Sequence, residues 1–350
     1  MSAIRKQDEM MTQWGGRRRI VIENIGPEVD TGRFPIKRVV GEKVVVTADI
    51  YADGHDVVAA KVLYRRQGDR EWNRVPMQAL ENDRWMGAFV VDQMGIYHYR
   101  LEGWVDHFKT WQQDLKKRLN AGTISETDKL IGARLIEEAS ERASNQDRQA
   151  LSTFTEILKK ADKEEVVSIA FGEELTDLMT EYPDKKFAVS YETEFAVVVD
   201  SNKALFSTWY ELFPRSCSPE PGRHGTFKDC ERLLPDIARM GFDTLYIPPI
   251  HPIGKTNRKG KNNSLQVESD DVGSPWAIGA EEGGHKAVDP QLGTLDDFAG
   301  LIKSAKKQGL EVAMDLAFQC SPDHPYAKEH PEWFTWRPDG TIQYAENPPK

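Results

Sequence analysis

Apolar and polar positions begin to alternate near residue 43. The run 43–51 (KVVVTADIY) is β-branched and apolar, and 59–65 (AAKVLYR) follows a loop containing Asp53 and Gly54. The runs 85–91 (WMGAFVV) and 96–104 (IYHYRLEGW) flank Gly95, and a polar turn at 81–84 reverses the chain between strands. Period-two patterning with turn residues roughly every ten positions predicts an Ig-like β-sandwich over 17–110. Trp72, Trp85, Tyr97, Tyr99 and Trp104 could form a carbohydrate-stacking platform, but filling the sandwich core is their ordinary fate.

The period changes to 3.6 over 111–182. Leu130, Ile131, Leu135 and Ile136 predict one helix, with Ser125 and Asp128 as a weak capping box. Leu151, Phe154, Ile157 and Leu158 predict a second helix over 146–161, and a third covers 172–181 before Pro183. This insertion packs on the sandwich or on a second subunit, and a homodimer through these N-terminal and helical regions is expected. Residues 186–200 return to β. From 205 onward the order is strand (206–213), helix (228–240), strand (244–248), helix (295–308) and strand (311–318). That alternation demands a parallel sheet with right-handed crossovers. The excursion 250–293 is far longer than an ordinary loop, and loops at the C-terminal ends of such strands are where active sites are built. Three strands do not close a barrel, so the chain is a fragment or the sheet stays open. The expected division is a flexible tail 1–16, sandwich 17–110, helical insertion 111–185, return strands 186–204 and a catalytic α/β region 205–350.

With 350 residues the chain is long enough for two or three cores. The 46 basic and 56 acidic residues give a net charge of −10, which argues against nucleic-acid binding, since that needs a basic face. No run approaches the roughly 18 apolar residues of a membrane span, and the N-terminus lacks the apolar segment of a signal peptide. Cys217, Cys230 and Cys320 form no CxxC pair, which suits reduced thiols in the cytoplasm. His251 and His285 have no metal-ligand spacing, so no metal site is expected. Lys255, Arg258, Lys259 and Lys261 concentrate positive charge within 255–261 of an acidic protein and could attract an anionic substrate.

Particular runs carry a resemblance. Residues 246–254 (YIPPIHPIG), 285–293 (HKAVDPQLG), 294–309 and 310–319 (LEVAMDLAFQ) resemble the α-amylase superfamily of (β/α)8 glycosidases, glycoside hydrolase family 13. More narrowly, 209–216 (WYELFPRS), 248–263 (PPIHPIGKTNRKGKNN), 273–279 (GSPWAIG) and 344–350 (YAENPPK) resemble the bacterial α-1,4-glucan:maltose-1-phosphate maltosyltransferases, over about residues 17–350.

The resemblance implies the first βα units of a truncated (β/α)8 TIM barrel behind the sandwich. It also implies a retaining double displacement from maltose 1-phosphate to the end of an α-1,4-glucan, without cofactor or metal. Lys259, Gln319, Ser274, Trp276 and His251 would contact sugar, with Asp315 orienting them and Asn347 and Lys350 holding phosphate. Gln319-Cys320 stands where amylases carry Asn-His. The nucleophile and acid/base are expected beyond Lys350, which would leave this chain alone inactive. Another amylase-superfamily hydrolase or branching enzyme, or a non-catalytic glucan-binding fragment, stands as the alternative.

Overall fold

The computed structural model describes residues 18–343, so the expected tail 1–16 lies outside the described residues. The chain divides between Asn202 and Lys203 into two compact units.

The first unit begins with eight strands: β1 (Ile20–Gly26), β2 (Ile36–Val39), β3 (Lys43–Ala52), β4 (Val58–Arg66), β5 (Asn73–Pro76), β6 (Gln78–Ala79), β7 (Arg84–Val90) and β8 (Gly95–Val105). After a helical insertion come β9 (Val189–Ser190) and β10 (Phe195–Asp200). One sheet runs β1-β3-β7-β6; the other runs β2-β10-β8-β4-β5, with β9 beside β8. Alternation sets which side chains meet. Val44, Val46, Ala48 and Ile50 of β3 and Tyr97, Tyr99 and Leu101 of β8 all enter one core shared by the two sheets. Aromatic rings stitch the layers together. Phe89 of one sheet lies 4.3 Å from Tyr64 and 6.0 Å from Tyr99 of the other, and Tyr99 lies 5.2 Å from Phe195. Burying Tyr99 obliges its hydroxyl to find a partner, which is the carbonyl of Pro27. Trp85, Tyr97, Tyr99 and Trp104 are all buried, and the half-buried Trp72 ring packs against the Arg65 and Arg100 guanidiniums at 4.3 and 4.7 Å, so the five do not form a stacking platform.

Five helices, where the sequence pattern suggests three, leave the end of β8: α1 (His107–Asn120), α2 (Glu126–Arg142), α3 (Asn145–Lys160), α4 (Lys163–Ala170) and α5 (Glu173–Glu181). They bury a second core that includes Trp111, Leu115, Ile136, Leu151, Leu158 and Leu175. The Asp106 carboxylate caps α1 by accepting from the Lys109 amide at 2.9 Å. On α2, Asp128 accepts from the Ser125 amide at 2.8 Å and its hydroxyl at 2.7 Å. Leu130 and Ile131 are exposed, contrary to the expected stripe. Ile136 is buried and Leu135 packs against the core as expected, and Gly132, Ala133 and Ala139 complete the inward face of α2 with the small surface that Trp111 needs to approach.

The second unit holds a parallel sheet in the order β11 (Trp209–Glu211), β12 (Thr244–Ile247) and β13 (Glu311–Met314). Its helices are α6 (Phe227–Glu231), α7 (Leu234–Arg239), α8 (Leu295–Lys307) and the short α9 (Pro325–Glu329). Leu245 and Ile247 join Phe227, Leu234, Ile237 and Leu301 in the core between sheet and helices. Three expectations change here. The strand expected over 206–213 shrinks to three residues, and the helix expected over 228–240 divides before Pro235, which lacks the amide to continue it. The strand expected over 311–318 ends at Met314, with Leu316 and Phe318 exposed, because the chain turns away after Asp315.

The close contact in the insertion is testable. A Cβ at Gly132 would lie 2.2 Å from the Trp111 ring, whose Nε1 donates to the Asp128 carbonyl at 2.8 Å. Gly132→Ala should therefore cost about 3 kcal/mol in overpacking, which exceeds the ~1 kcal/mol that alanine's helix propensity returns. The expected outcome is a lower denaturation midpoint by far-ultraviolet circular dichroism; an unchanged midpoint would show that the indole moves aside freely.

Candidate active site

The three strands of the second unit end at the same edge, and the loops that follow them meet there. Phe213, two residues beyond β11, takes the edge of the Trp276 ring at a centroid distance of 5.8 Å. The Asp315 amide, one residue beyond β13, still donates to the Ile247 carbonyl at 3.0 Å. Its side chain then leaves the sheet: Asp315 Oδ2 accepts from Trp276 Nε1 at 2.5 Å, and the carboxylate lies near the Tyr246 hydroxyl. Burial, then the neighbouring Asp315 carboxylate, pushes the Tyr246 phenol above its ordinary pKa, so it stays a donor at neutral pH. One carboxylate thus holds an indole in a fixed orientation beside a phenol. Arg215, half-buried, secures the other side by donating to the Gly273 carbonyl at 2.8 Å.

The excursion after β12 has almost no regular structure, and its backbone is satisfied by specific anchors. Ile278 bridges both Ile253 and Cys320. Asp323 Oδ2 accepts from the amides of Lys255 at 2.7 Å and Thr256 at 3.2 Å. Gly254 and Gly279 permit this closure, since an added Cβ would meet Ser321 at 2.0 Å and Asp323 at 2.6 Å respectively.

Three histidines make a further set of anchors. His251 Nδ1 lies 2.9 Å from the Ala287 carbonyl, and His285 Nε2 lies 2.6 Å from the Ala317 carbonyl. A carbonyl only accepts, so both nitrogens carry protons. His285 Nδ1 lies 2.9 Å from His324 Nε2, and His324 Nδ1 accepts from the Tyr326 amide at 3.0 Å. This network needs neutral rings, and burial lowers the pKa of both His251 and His324.

Of the sequence-selected residues, Trp276 and Asp315 touch directly. His251 belongs to the histidine network. Ser274 closes a turn through its carbonyl, which accepts from the Ala277 amide at 3.0 Å. Gln319 is exposed and Lys259 half-buried; among the described residues no hydrogen bond or ion pair joins either of them, or Ser274, to the Trp276–Asp315 pair. Asn347 and Lys350 lie outside the described residues. Three of the four cations of the 255–261 run make contacts within their own loop. Lys255 pairs with Glu282, Lys261 pairs with Glu268 and Asp270, and Arg258 donates to the carbonyls of Ile253, Gly254 and Asp271. Acidic residues in the same excursion neutralise it. Arg215, Tyr246, Asp323 and His324 escaped the sequence reading. For Tyr246 the available signal was its position immediately before the strand-ending Ile247-Pro248-Pro249 run.

Comparison with known proteins matches residues 18–201, more than half of the chain, to the model for alpha-1,4-glucan:maltose-1-phosphate maltosyltransferase, domain N/S. The enzyme of that name from Chlorobaculum tepidum is 52% identical over 335 residues, covering 96% of this chain and 50% of the relative. That from Myxococcus xanthus is 50% identical, covering 95% of this chain and 51% of the relative. The chain therefore spans about half the length of the curated relatives it matches. Among solved structures, an α-amylase from Lactobacillus plantarum is 33% identical over 41% of this chain and 30% of its own, with a TM-score of 0.33. On the match of its first unit, the chain belongs to the alpha-1,4-glucan:maltose-1-phosphate maltosyltransferase family.

Proposed function

We propose that this chain contributes the N-terminal half of a retaining maltosyltransferase that moves maltosyl units from maltose 1-phosphate to the non-reducing end of an α-1,4-glucan. The observation that carries the reading is the Trp276–Asp315 hydrogen bond at the C-terminal ends of parallel strands, in a chain of this family. In this reading the first unit is an Ig-like sandwich with a helical insertion. β11 to β13 open a (β/α)8 barrel, whose next strand covers the edge of β13 and the exposed Leu316 and Phe318. A carboxylate nucleophile beyond the fourth strand attacks the anomeric carbon and phosphate departs with the bonding pair. The glucan 4-hydroxyl then attacks the glycosyl-enzyme, giving its proton to the acid/base carboxylate. Trp276 offers an apolar ring to the donor sugar, Asp315 fixes that ring, and Lys259, Ser274 and Gln319 supply hydroxyl contacts. His251 orients the loop behind them, and Asn347 and Lys350 receive the phosphate. The exposed Leu130 and Ile131 on α2 suit a homodimer contact through the first unit. The three free cysteines suit the cytoplasm. Among the described residues no helix is long and apolar enough to cross a membrane.

Incubating the full-length protein, of which this chain contributes the N-terminal half, with maltose 1-phosphate and glycogen should release inorganic phosphate and lengthen the glucan. Release no greater than in a glycogen-free control would refute the assignment. In the same assay Asp315→Asn keeps the side-chain shape but loses one of two acceptors, and should lower kcat/KM on the order of a hundredfold through misplacement of Trp276. An unchanged value would remove Asp315 from the site. Acid should loosen the loop. His251 and His324 have lowered pKa values when folded, so the unfolded chain binds protons that the folded one refuses. Their stabilisation is complete above a pH of about 6.5 and is lost as pH falls below it. Thermal midpoints should fall from pH 7.5 to 5.5, with a shallower slope in His324→Gln; parallel slopes would show that His324 does not contribute.

A further inference from the structure

Cys217 and Cys230 play no part in the reaction proposed above, yet the fold brings both to one point of the second unit. Both belong to its core, and both are free thiols. Their sulfurs lie 3.4 Å apart, with the Cys230 S–H donating to Cys217 Sγ. Bonded sulfurs are about 2.0 Å apart, so closing the gap takes about 1.4 Å, shared between two side chains. The backbone already holds the two segments together. Cys217 follows the short turn Pro214–Ser216, and Cys230 lies on α6. The Gly225 amide, two residues before α6, donates to the Arg215 carbonyl at 2.8 Å. Arg232, just after α6, donates through Nη2 to the Cys217 carbonyl at 3.2 Å. Gly225 comes so near that an added Cβ would lie 2.3 Å from the Pro214 carbonyl oxygen.

The two thiols are not equivalent. Cys230 is fully enclosed, whereas Cys217 keeps 3% of its surface exposed, and residues 219–223 of the loop that follows it are all exposed. The bond from Cys230 draws the Cys217 thiol below its ordinary pKa and holds that of Cys230 above it, which makes Cys217 the better nucleophile. Hydrogen peroxide has two heavy atoms, and a brief opening of the exposed loop admits it to Cys217. Cys230 needs no such access, because its partner is already beside it. The same turn also bears on Trp276. Phe213 meets the edge of that ring, and Arg215 donates to the Gly273 carbonyl three residues before it. The Cys217 S–H donates to the Phe213 carbonyl at 3.3 Å, and oxidation removes that donor.

We propose that Cys217 and Cys230 are a reversible disulfide site, closed by hydrogen peroxide, that shifts the turn against which Trp276 rests. The Cys217 sulfur attacks one peroxide oxygen, the O–O bond breaks, and water leaves with the thiol proton, giving a sulfenic acid. The Cys230 sulfur then attacks that sulfur, the S–O bond breaks, and a second water leaves with the Cys230 proton. Two electrons pass from the sulfurs to the peroxide, and dithiothreitol restores both thiols. The effect on maltosyl transfer rests on the function proposed above; the disulfide itself does not. The test exposes the folded full-length protein to hydrogen peroxide, blocks remaining thiols with N-ethylmaleimide in denaturant, and maps unreduced tryptic peptides by mass spectrometry. Peptides 216–223 and 229–232 should appear joined, two hydrogens lighter than their sum, and should separate after dithiothreitol. Cys230→Ala should instead leave a sulfenic acid at Cys217 that dimedone captures. Cys217→Ala should leave Cys230 free to take maleimide, so either variant serves if the other fails to fold. Phosphate release from maltose 1-phosphate should fall severalfold with the crosslink and recover with dithiothreitol. Maleimide on both cysteines after peroxide, a crosslink from either to Cys320, or release unaffected by the crosslink would overturn the proposal. Absence of release from the reduced protein would count against the assignment of the second unit instead, while the peptide map still decides the disulfide.

Discussion

The governing constraint in the second unit is that an irregular excursion of more than thirty residues must satisfy its backbone polar groups while lying against a parallel sheet. A strand could not do this, because its partners would have to come from the sheet that it leaves. The solution is a small number of side chains acting as fixed posts: Asp323 for the amides of Lys255 and Thr256, His251 and His285 for carbonyls, and Asp315 for the indole of Trp276. Rigidity at the strand ends follows from these posts. A ring that is to lie against a sugar must hold its angle before the sugar arrives, and the hydrogen bond to Asp315 supplies that angle.

The first unit meets a different requirement. Two sheets share one interior, and a helical insertion emerges directly from β8 without disturbing it, because Asp106 ends the strand and starts α1. The insertion has its own core, so neither layer depends on the other for its buried surface.

Much of this architecture is legible in residue order. The strands β7 and β8 are marked by alternation, β3 and β4 by apolar runs, and α8 by its Thr294 cap and Gly309 stop. Elements whose signal is spread thin are hidden. Helix α1 is polar and holds on through Phe108, Trp111 and Leu115; α4 has eight residues, too few to show a period. The apolar residues Leu316 and Phe318 look like strand because composition does not reveal where a chain leaves a sheet. The candidate site was half visible. Trp276 and Asp315 stand out by position and type, but their hydrogen bond spans 39 positions in the chain, and no local pattern encodes such a pairing. The charged loop shows the complementary limit: charge can be counted in a sequence, whereas the pairing of Lys255 and Lys261 with Glu282, Glu268 and Asp270 is a property of the fold.

The close approach at Gly254 and Gly279 reaches beyond geometry. With Ser321 and Asp323 occupying the space that any larger residue would need, both positions are closed to substitution unless three segments change together. Variation in this protein over evolutionary time must therefore enter elsewhere, at the outward tips of the excursion, and the seam where these glycines meet Ser321 and Asp323 should descend through related chains nearly unaltered.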